Sequence, residues 1–153
     1  VMPGTNAKMN EMQALMGTKV LGYLDEIIEK GKEIREVYKS RLSDIPGITL
    51  PSPVEPGVSH NFSFMPIQVD ASEFGMSRDG LYHALREQNV MARRYFYPLV
   101  CDYSCYAHVA VTDPLTIARK VSSQILTLPT YFELSLETVN RICDMIVYHG
   151  PKA

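Results

Sequence analysis

The chain has 153 residues, 46% of them hydrophobic and 21% charged, with a net charge of −2 at pH 7; that length and mixture suit one globular domain and lie outside the composition of disordered chains. With a pI near 6.1 there is no global basic field to hold a nucleic acid or an anionic membrane, so neither is expected as a partner. Apolar runs such as Ile125 to Pro129 fall short of the roughly 18 residues that suggest a membrane span, and the expected location is the cytoplasm.

The chain opens Val-Met-Pro-Gly and passes through a polar turn into a helical pattern, an opening expected of a fragment. From Lys8 to about Leu42, Met9, Met12, Met16, Val20, Leu24, Ile27, Ile34 and Tyr38 recur at the helical period, so one long amphipathic helix is expected. Gly17, Gly22 and Gly31 each cost roughly 1 kcal/mol against alanine and mark bends, close packing or a break into two helices. Beyond Leu24 the opposite face is charged, with Glu26 and Lys30 at the favourable spacing of four, and reads as solvated. The first half carries more apolar surface than the rest of the chain needs, and is expected to pack on a missing domain or a partner subunit.

Ile45-Pro-Gly-Ile48 stops this helix, Ile48 to Leu50 reads as a short strand, and Pro51 to His60, with three prolines, as a loop. Asn61 to Val69 is a strand-rich run in which Pro66 predicts an edge or a bulge. Ser77 is the expected N-cap of a helix from Arg78 to Gln88 that buries Leu81 and Leu85, with Asn89 at its end. Val90 to Tyr97 reads as a second convincing strand. Thr112-Asp-Pro114 then starts a helix with proline first, carrying Ala118, Val121 and Ile125 inward. Ser135 caps a last helix whose Val139, Ile142, Cys143 and Ile146 share a face. The order implies an α+β fold: a small, mainly antiparallel sheet against helices, preceded by the long helix. The division expected is 1–44 for that helix and 45–153 for a small C-terminal domain.

Cys101, Cys105 and His108 form C-x3-C-x2-H. A structural zinc site wants a fourth ligand and a tighter pair, so no metal is assigned, and three cysteines argue against a disulfide framework. On the strand expected over Val90 to Tyr97, alternation puts Arg93, Tyr95 and Tyr97 on one face and Ala92, Arg94 and Phe96 on the other. One cation and two phenols suit an anionic, hydroxyl-rich ligand, because guanidinium pairs with phosphate and tyrosine offers a hydrogen bond and a flat surface. The alternative is that the tyrosines pack on a helix and Arg93 pairs with a surface acid. Asn6, placed where the first helix is expected to begin, is either its cap or part of an anion site at the helix N-terminus, with Lys8 adding charge.

Three stretches resemble the DegT/DnrJ/EryC1/StrS family of sugar aminotransferases. Gly4, Asn6, Lys8, Met9, Asn10 and Glu11 are similar to the G-x-N-x-(K/R)-(M/L)-(S/N)-E stretch of that family. Arg93, Tyr95, Phe96, Pro98 and Leu99 resemble its R-x-(H/Y)-aromatic-x-P-L strand, and Leu128-Pro-Thr-Tyr-Phe-Glu-Leu134 its terminal L-P-x-(Y/F) signal. The resemblance spans residues 4–149. It implies the small C-terminal domain of a type I aminotransferase fold, a pyridoxal phosphate cofactor in the full-length protein, and a homodimer with shared active sites. It further implies that Asn6 reaches the cofactor phosphate, that Lys8 lies near the entrance, and that Arg93, Tyr95 and Tyr97 line the nucleotide-sugar side. The Schiff-base lysine belongs to the large domain, so no catalytic residue is expected in this chain, which alone is expected to be inactive. Arg93-Arg-Tyr-Phe-Tyr-Pro is most similar to members that aminate C4 of a nucleotide-linked 4-keto-6-deoxy sugar, with glutamate as amino donor. Sugar dehydratase relatives, and a non-catalytic dimerisation or binding module, are the alternatives.

Overall fold

A computed structural model describes residues 7–151. The expected long helix is two helices, α1 (Glu11–Leu21) and α2 (Leu24–Leu42). They part at Gly22, whose N–H turns back to the carbonyls of Lys19 and Val20, and at Tyr23, which leaves helical geometry. The other two glycines behave differently. Gly31 lies against the loop, where a Cβ would sit 3.0 Å from both Cβ and O of Phe62, so it permits a close approach; nothing crowds Gly17. The helix also starts later than expected, because Asn10 is its cap: the Asn10 side chain accepts from the Gln13 N–H and the Gln13 side chain accepts from the Asn10 N–H, both at 2.9 Å.

Three short strands follow in an antiparallel sheet of order β1 (Ile48–Thr49), β2 (Met65–Val69) and β3 (Ile125–Leu128). The strand expected from Asn61 begins only at Met65. Upstream of it Phe62 is left-handed (φ 51°), its N–H bonds His60 Nδ1 at 2.8 Å, and the Ser63 N–H bonds Asn61 Oδ1 at 3.1 Å; these local turns compete with a ladder. Pro66 occupies the central strand, not an edge, and the register explains why. It lies opposite Thr127, whose N–H and C=O both point the other way, to Arg93. Pro66 therefore faces β3 at a pair that exchanges no hydrogen bonds, and on its other side β1 has already ended at the Thr49 and Gln68 pair.

The largest departure is at Val90 to Tyr97. It forms no strand; Arg93 alone makes a bridge, to Thr127, and the chain turns at Tyr95 and Phe96. The third strand is instead Ile125–Leu128. It directly follows α5 (Thr116–Gln124), which starts two residues after Pro114. Asp113 accepts from the Leu115 N–H at 2.6 Å, and Leu115 is left-handed (φ 51°), so Pro114 sits in a turn ahead of the helix. Ala118 is exposed, Ser122 is the buried residue of α5, and Ile125 opens the strand.

The helices expected after Ser77 and Ser135 are present, and a short helix that was not expected precedes them. A short α3 (Ala71–Phe74) is capped by Asp70; α4 (Arg78–Glu87) is capped by Ser77, which accepts from the Gly80 N–H; and α6 (Leu136–His149) is capped by Ser135. Asn89 takes the left-handed conformation just past α4. Val139, Ile142, Cys143 and Ile146 of α6 are all buried, facing Ile34, Tyr38 and Leu42 of α2 and Leu81 and Leu85 of α4. Met65 opposite Leu128 and Ile67 opposite Leu126 supply the sheet side of this core, each such side chain contributing about 1.5–3 kcal/mol by burial. The α+β fold is as expected: a small antiparallel sheet packed against helices. The Tyr38 hydroxyl donates to the Pro129 carbonyl at 3.2 Å, and burial pushes its pKa far above the ordinary phenol value. Burial likewise pushes the Cys143 thiol up to about 11, which makes it an inert core residue.

No residue of α1 is buried. Met12, Leu15, Met16 and Val20 are all at least half exposed, in keeping with an N-terminal helix that has more apolar surface than the chain itself covers. No helix among the described residues is long and apolar enough to cross a membrane.

Candidate functional site

Arg93 is fixed by its backbone and offers its side chain. Its N–H donates to the Thr127 carbonyl at 2.9 Å and its carbonyl accepts from the Thr127 N–H at 2.7 Å, which appends one residue to the edge of β3. Its guanidinium donates to the Tyr95 hydroxyl and lies 5.4 Å from the centre of that ring. Tyr95 is further held by an edge contact with Phe64 at 6.0 Å and a near-parallel stack on Phe96 at 5.1 Å. A phenol oxygen that accepts from Arg93 keeps its own proton to donate, so the pair presents donors outward. It does so at the join of two concavities. One, of about 400 Å3, is walled by Phe64, Thr127, Tyr131 and Leu134; the other, of about 380 Å3, by Tyr82, Arg86, Arg94, Tyr97 and Tyr103.

Strand alternation expected Tyr97 beside Arg93 and put Arg94 opposite. Without a strand that reasoning fails, yet the turn at Tyr95 and Phe96 brings Arg93, Tyr95 and Tyr97 around the same concavity and adds Arg94 to it. The neighbour of Tyr97 is not Arg93. Its ring centre lies 4.8 Å from the Arg78 guanidinium and 5.5 Å from that of Arg94, and Arg94 also lies 4.7 Å from the Tyr82 ring. Asp79 receives hydrogen bonds from Arg78 Nε and Arg94 Nη1, both at 3.0 Å. Partial burial raises the Asp79 carboxyl, but the hydrogen bonds and charges of Arg94 and Arg78 outweigh it and hold the group below the usual carboxylate range. Three arginines line the concavity, Arg86, Arg93 and Arg94, and among the described residues no carboxylate does, so it is cationic.

Arg78, Asp79, Tyr82 and Arg86 are not among the residues that the sequence reading assigns to the site, although a signal exists. Arg78, Tyr82 and Arg86 recur every four residues, so they form one stripe along α4, and the Arg86 guanidinium donates to the Tyr82 hydroxyl at 2.8 Å. Lys8 is exposed ahead of α1, and among the described residues no hydrogen bond or ion pair joins it to the 93–97 segment. Asn6 lies outside the described residues; the cap of α1 is Asn10. Among the described residues no group of three or more His, Cys, Asp and Glu side chains is placed to hold a metal ion.

Pyridoxal phosphate, the cofactor that the family resemblance implies, reacts through an amine. No lysine lines either concavity, and Lys30, Lys32 and Lys39 pair with Glu33, Glu29 and Glu36 on the solvated face of α2. The residues that line the second concavity make a cationic wall rich in tyrosine.

The profile of the DegT/DnrJ/EryC1/StrS aminotransferase family matches residues 1–147. The dTDP-4-amino-4,6-dideoxy-D-glucose transaminase of Shigella dysenteriae is 37% identical over 143 residues, covering 94% of this chain and 38% of that protein. The enzyme of the same name from Escherichia coli is 37% identical over 147 residues, covering 95% and 39%. Among solved structures, DesI in the presence of its TDP-sugar product superimposes with a TM-score of 0.86 at 26% identity, over 95% of this chain and 37% of that one. The chain thus spans about two fifths of the length of these curated relatives. It belongs to the DegT/DnrJ/EryC1/StrS aminotransferase family.

Proposed function

We propose that this chain is the substrate-shaping C-terminal part of a nucleotide-sugar aminotransferase that, as a full-length homodimer, moves an amino group from glutamate to C4 of a nucleotide-linked 4-keto-6-deoxy sugar. The observation that carries this reading is the Arg93 and Tyr95 pair, hydrogen-bonded to each other and facing a cationic, tyrosine-walled concavity. The names of the Shigella dysenteriae and Escherichia coli relatives support a 4-amino sugar and a dTDP carrier.

In this reading Arg93 binds the anionic or hydroxyl-bearing part of the nucleotide sugar through paired N–H donors. Tyr95 adds one donated hydrogen bond, and the rings of Tyr95 and Tyr97 give flat apolar surface to a sugar or base. Their joint effect is orientation: a keto carbon held in one pose reacts faster than one that tumbles. Pyridoxal phosphate, held in the full-length protein, would supply the carrier chemistry for the amino group. Asn6 would hold its phosphate and Lys8 would stand at the entrance of the site, while the apolar face of α1 would be covered by the large domain or the partner subunit.

The test is an end-point reaction. Full-length protein supplied with pyridoxal phosphate, L-glutamate and dTDP-4-keto-6-deoxyglucose should yield 2-oxoglutarate and the 4-amino sugar nucleotide in equal amounts. Loss of a sugar hydroxyl without consumption of glutamate would assign the protein to the dehydratases instead.

A further inference from the structure

The segment that carries Arg93, Tyr95 and Tyr97 has one pair of backbone ties to the sheet, at Arg93 and Thr127, after which the chain turns away. Its far end is held by side chains. The Ser122 hydroxyl donates to the Phe96 carbonyl at 3.1 Å, and the Tyr97 ring lies within cation–π reach of both Arg78 and Arg94. Two guanidinium groups sharing one ring repel each other, and Arg78 cannot step aside. It is 3% exposed, and its Nη1 is committed to the carbonyls of Ser122 at 3.1 Å and Ile125 at 2.8 Å. One carboxylate resolves the conflict: Asp79 Oδ1 takes a hydrogen bond from each arginine, and among the described residues no other acid pairs with either.

We propose that Asp79 is a positioning residue, joining Arg78 to Arg94 so that both engage Tyr97 and thereby setting the wall made by Arg93, Tyr95 and Tyr97. The inference rests on the reading that this wall receives the nucleotide sugar. The Asp79 side chain is 50% exposed and lies outside the core, so replacing it leaves the packing of α4 on α6 intact.

Asp79→Asn and Asp79→Glu in the full-length protein test the idea with two readouts. In Asp79→Asn the KM for dTDP-4-keto-6-deoxyglucose should rise about tenfold, the scale of one charge-assisted hydrogen bond, while the KM for glutamate stays constant. Amide hydrogen exchange over residues 93–98 should quicken about tenfold with α2 and α6 unchanged, and Asp79→Glu, which keeps the charge, should recover part of both. Unchanged exchange at 93–98 would overturn the proposal. So would faster exchange throughout with equal losses for both substrates, because Asp79 would then serve only stability. If the wild-type protein turns over no nucleotide sugar, the functional reading fails, and the exchange experiment still decides whether Asp79 orders the segment.

Discussion

Arg93 and Thr127 exchange both of their backbone hydrogen bonds, at 2.9 and 2.7 Å, although Arg93 belongs to no strand. The pair anchors the start of the site to the sheet and leaves the Arg93 side chain exposed. The anchor also uses the outward backbone groups of Thr127, which lets Pro66 sit opposite without breaking the ladder.

Because the Arg93 backbone, not its side chain, makes the anchor, Arg93→Ala should keep the fold. In the full-length protein it should raise the KM for the nucleotide sugar between roughly tenfold and a hundredfold, from the loss of about 1.5–3 kcal/mol of charge-assisted bonding. The KM for glutamate should hold. Steady-state kinetics with each substrate varied in turn checks this; equal losses for both would mean that the side chain serves folding.

Asn6→Ala is expected to weaken retention of pyridoxal phosphate by about 1.5–3 kcal/mol, through loss of a hydrogen bond to the phosphate. Equilibrium dialysis of the full-length protein against the cofactor measures it. Since Asn10 already caps α1, helicity should not change, and a cofactor affinity equal to wild type would remove Asn6 from the site.

Gly47 ends the turn after α2 with φ at 78°, and a Cβ there would lie 2.4 Å from the Phe74 N and 2.8 Å from the Asp70 carbonyl. Gly47→Ala should destabilise by at least about 2 kcal/mol, combining left-handed strain with a clash against backbone that cannot yield. Urea unfolding should show a lower midpoint with the slope unchanged.

The Asp79 carboxyl, held below its ordinary range by Arg94 and Arg78, makes stability depend on pH. A group whose pKa is lower folded than unfolded binds fewer protons folded, so its contribution is full above the unfolded value near roughly 4 and fades as pH falls through the folded value. Acid unfolding of wild type and Asp79→Asn should therefore differ above that range and converge below it. Parallel curves at every pH would show that the two arginines do not depend on the charge.

The helices were legible because their signals are local. Ser77 and Ser135 cap helices where they stand in sequence, and the spacing of Val139, Ile142, Cys143 and Ile146 directly marks the buried face of α6. Gly22 likewise marks the break between α1 and α2. The candidate site was half legible: Arg93 and Tyr95 meet as expected, but Arg94 reaches Asp79 across 15 residues and Arg78 reaches Ser122 and Ile125 across 44 and 47, separations that no short sequence pattern marks.

The sequence by itself determined the α+β class, the helix caps, the family and the cationic, tyrosine-rich character of the stretch from Arg93 to Tyr97, because each depends on residue type at short spacing. Only the tertiary structure decided that this stretch is not a strand. A run of β-prone residues becomes a strand when a neighbour offers it a ladder, and here β3 offers only Thr127. Past that point the chain turns, and buried Arg78, reaching from α4 to the carbonyls of Ser122 and Ile125, lies 4.8 Å from the Tyr97 ring centre.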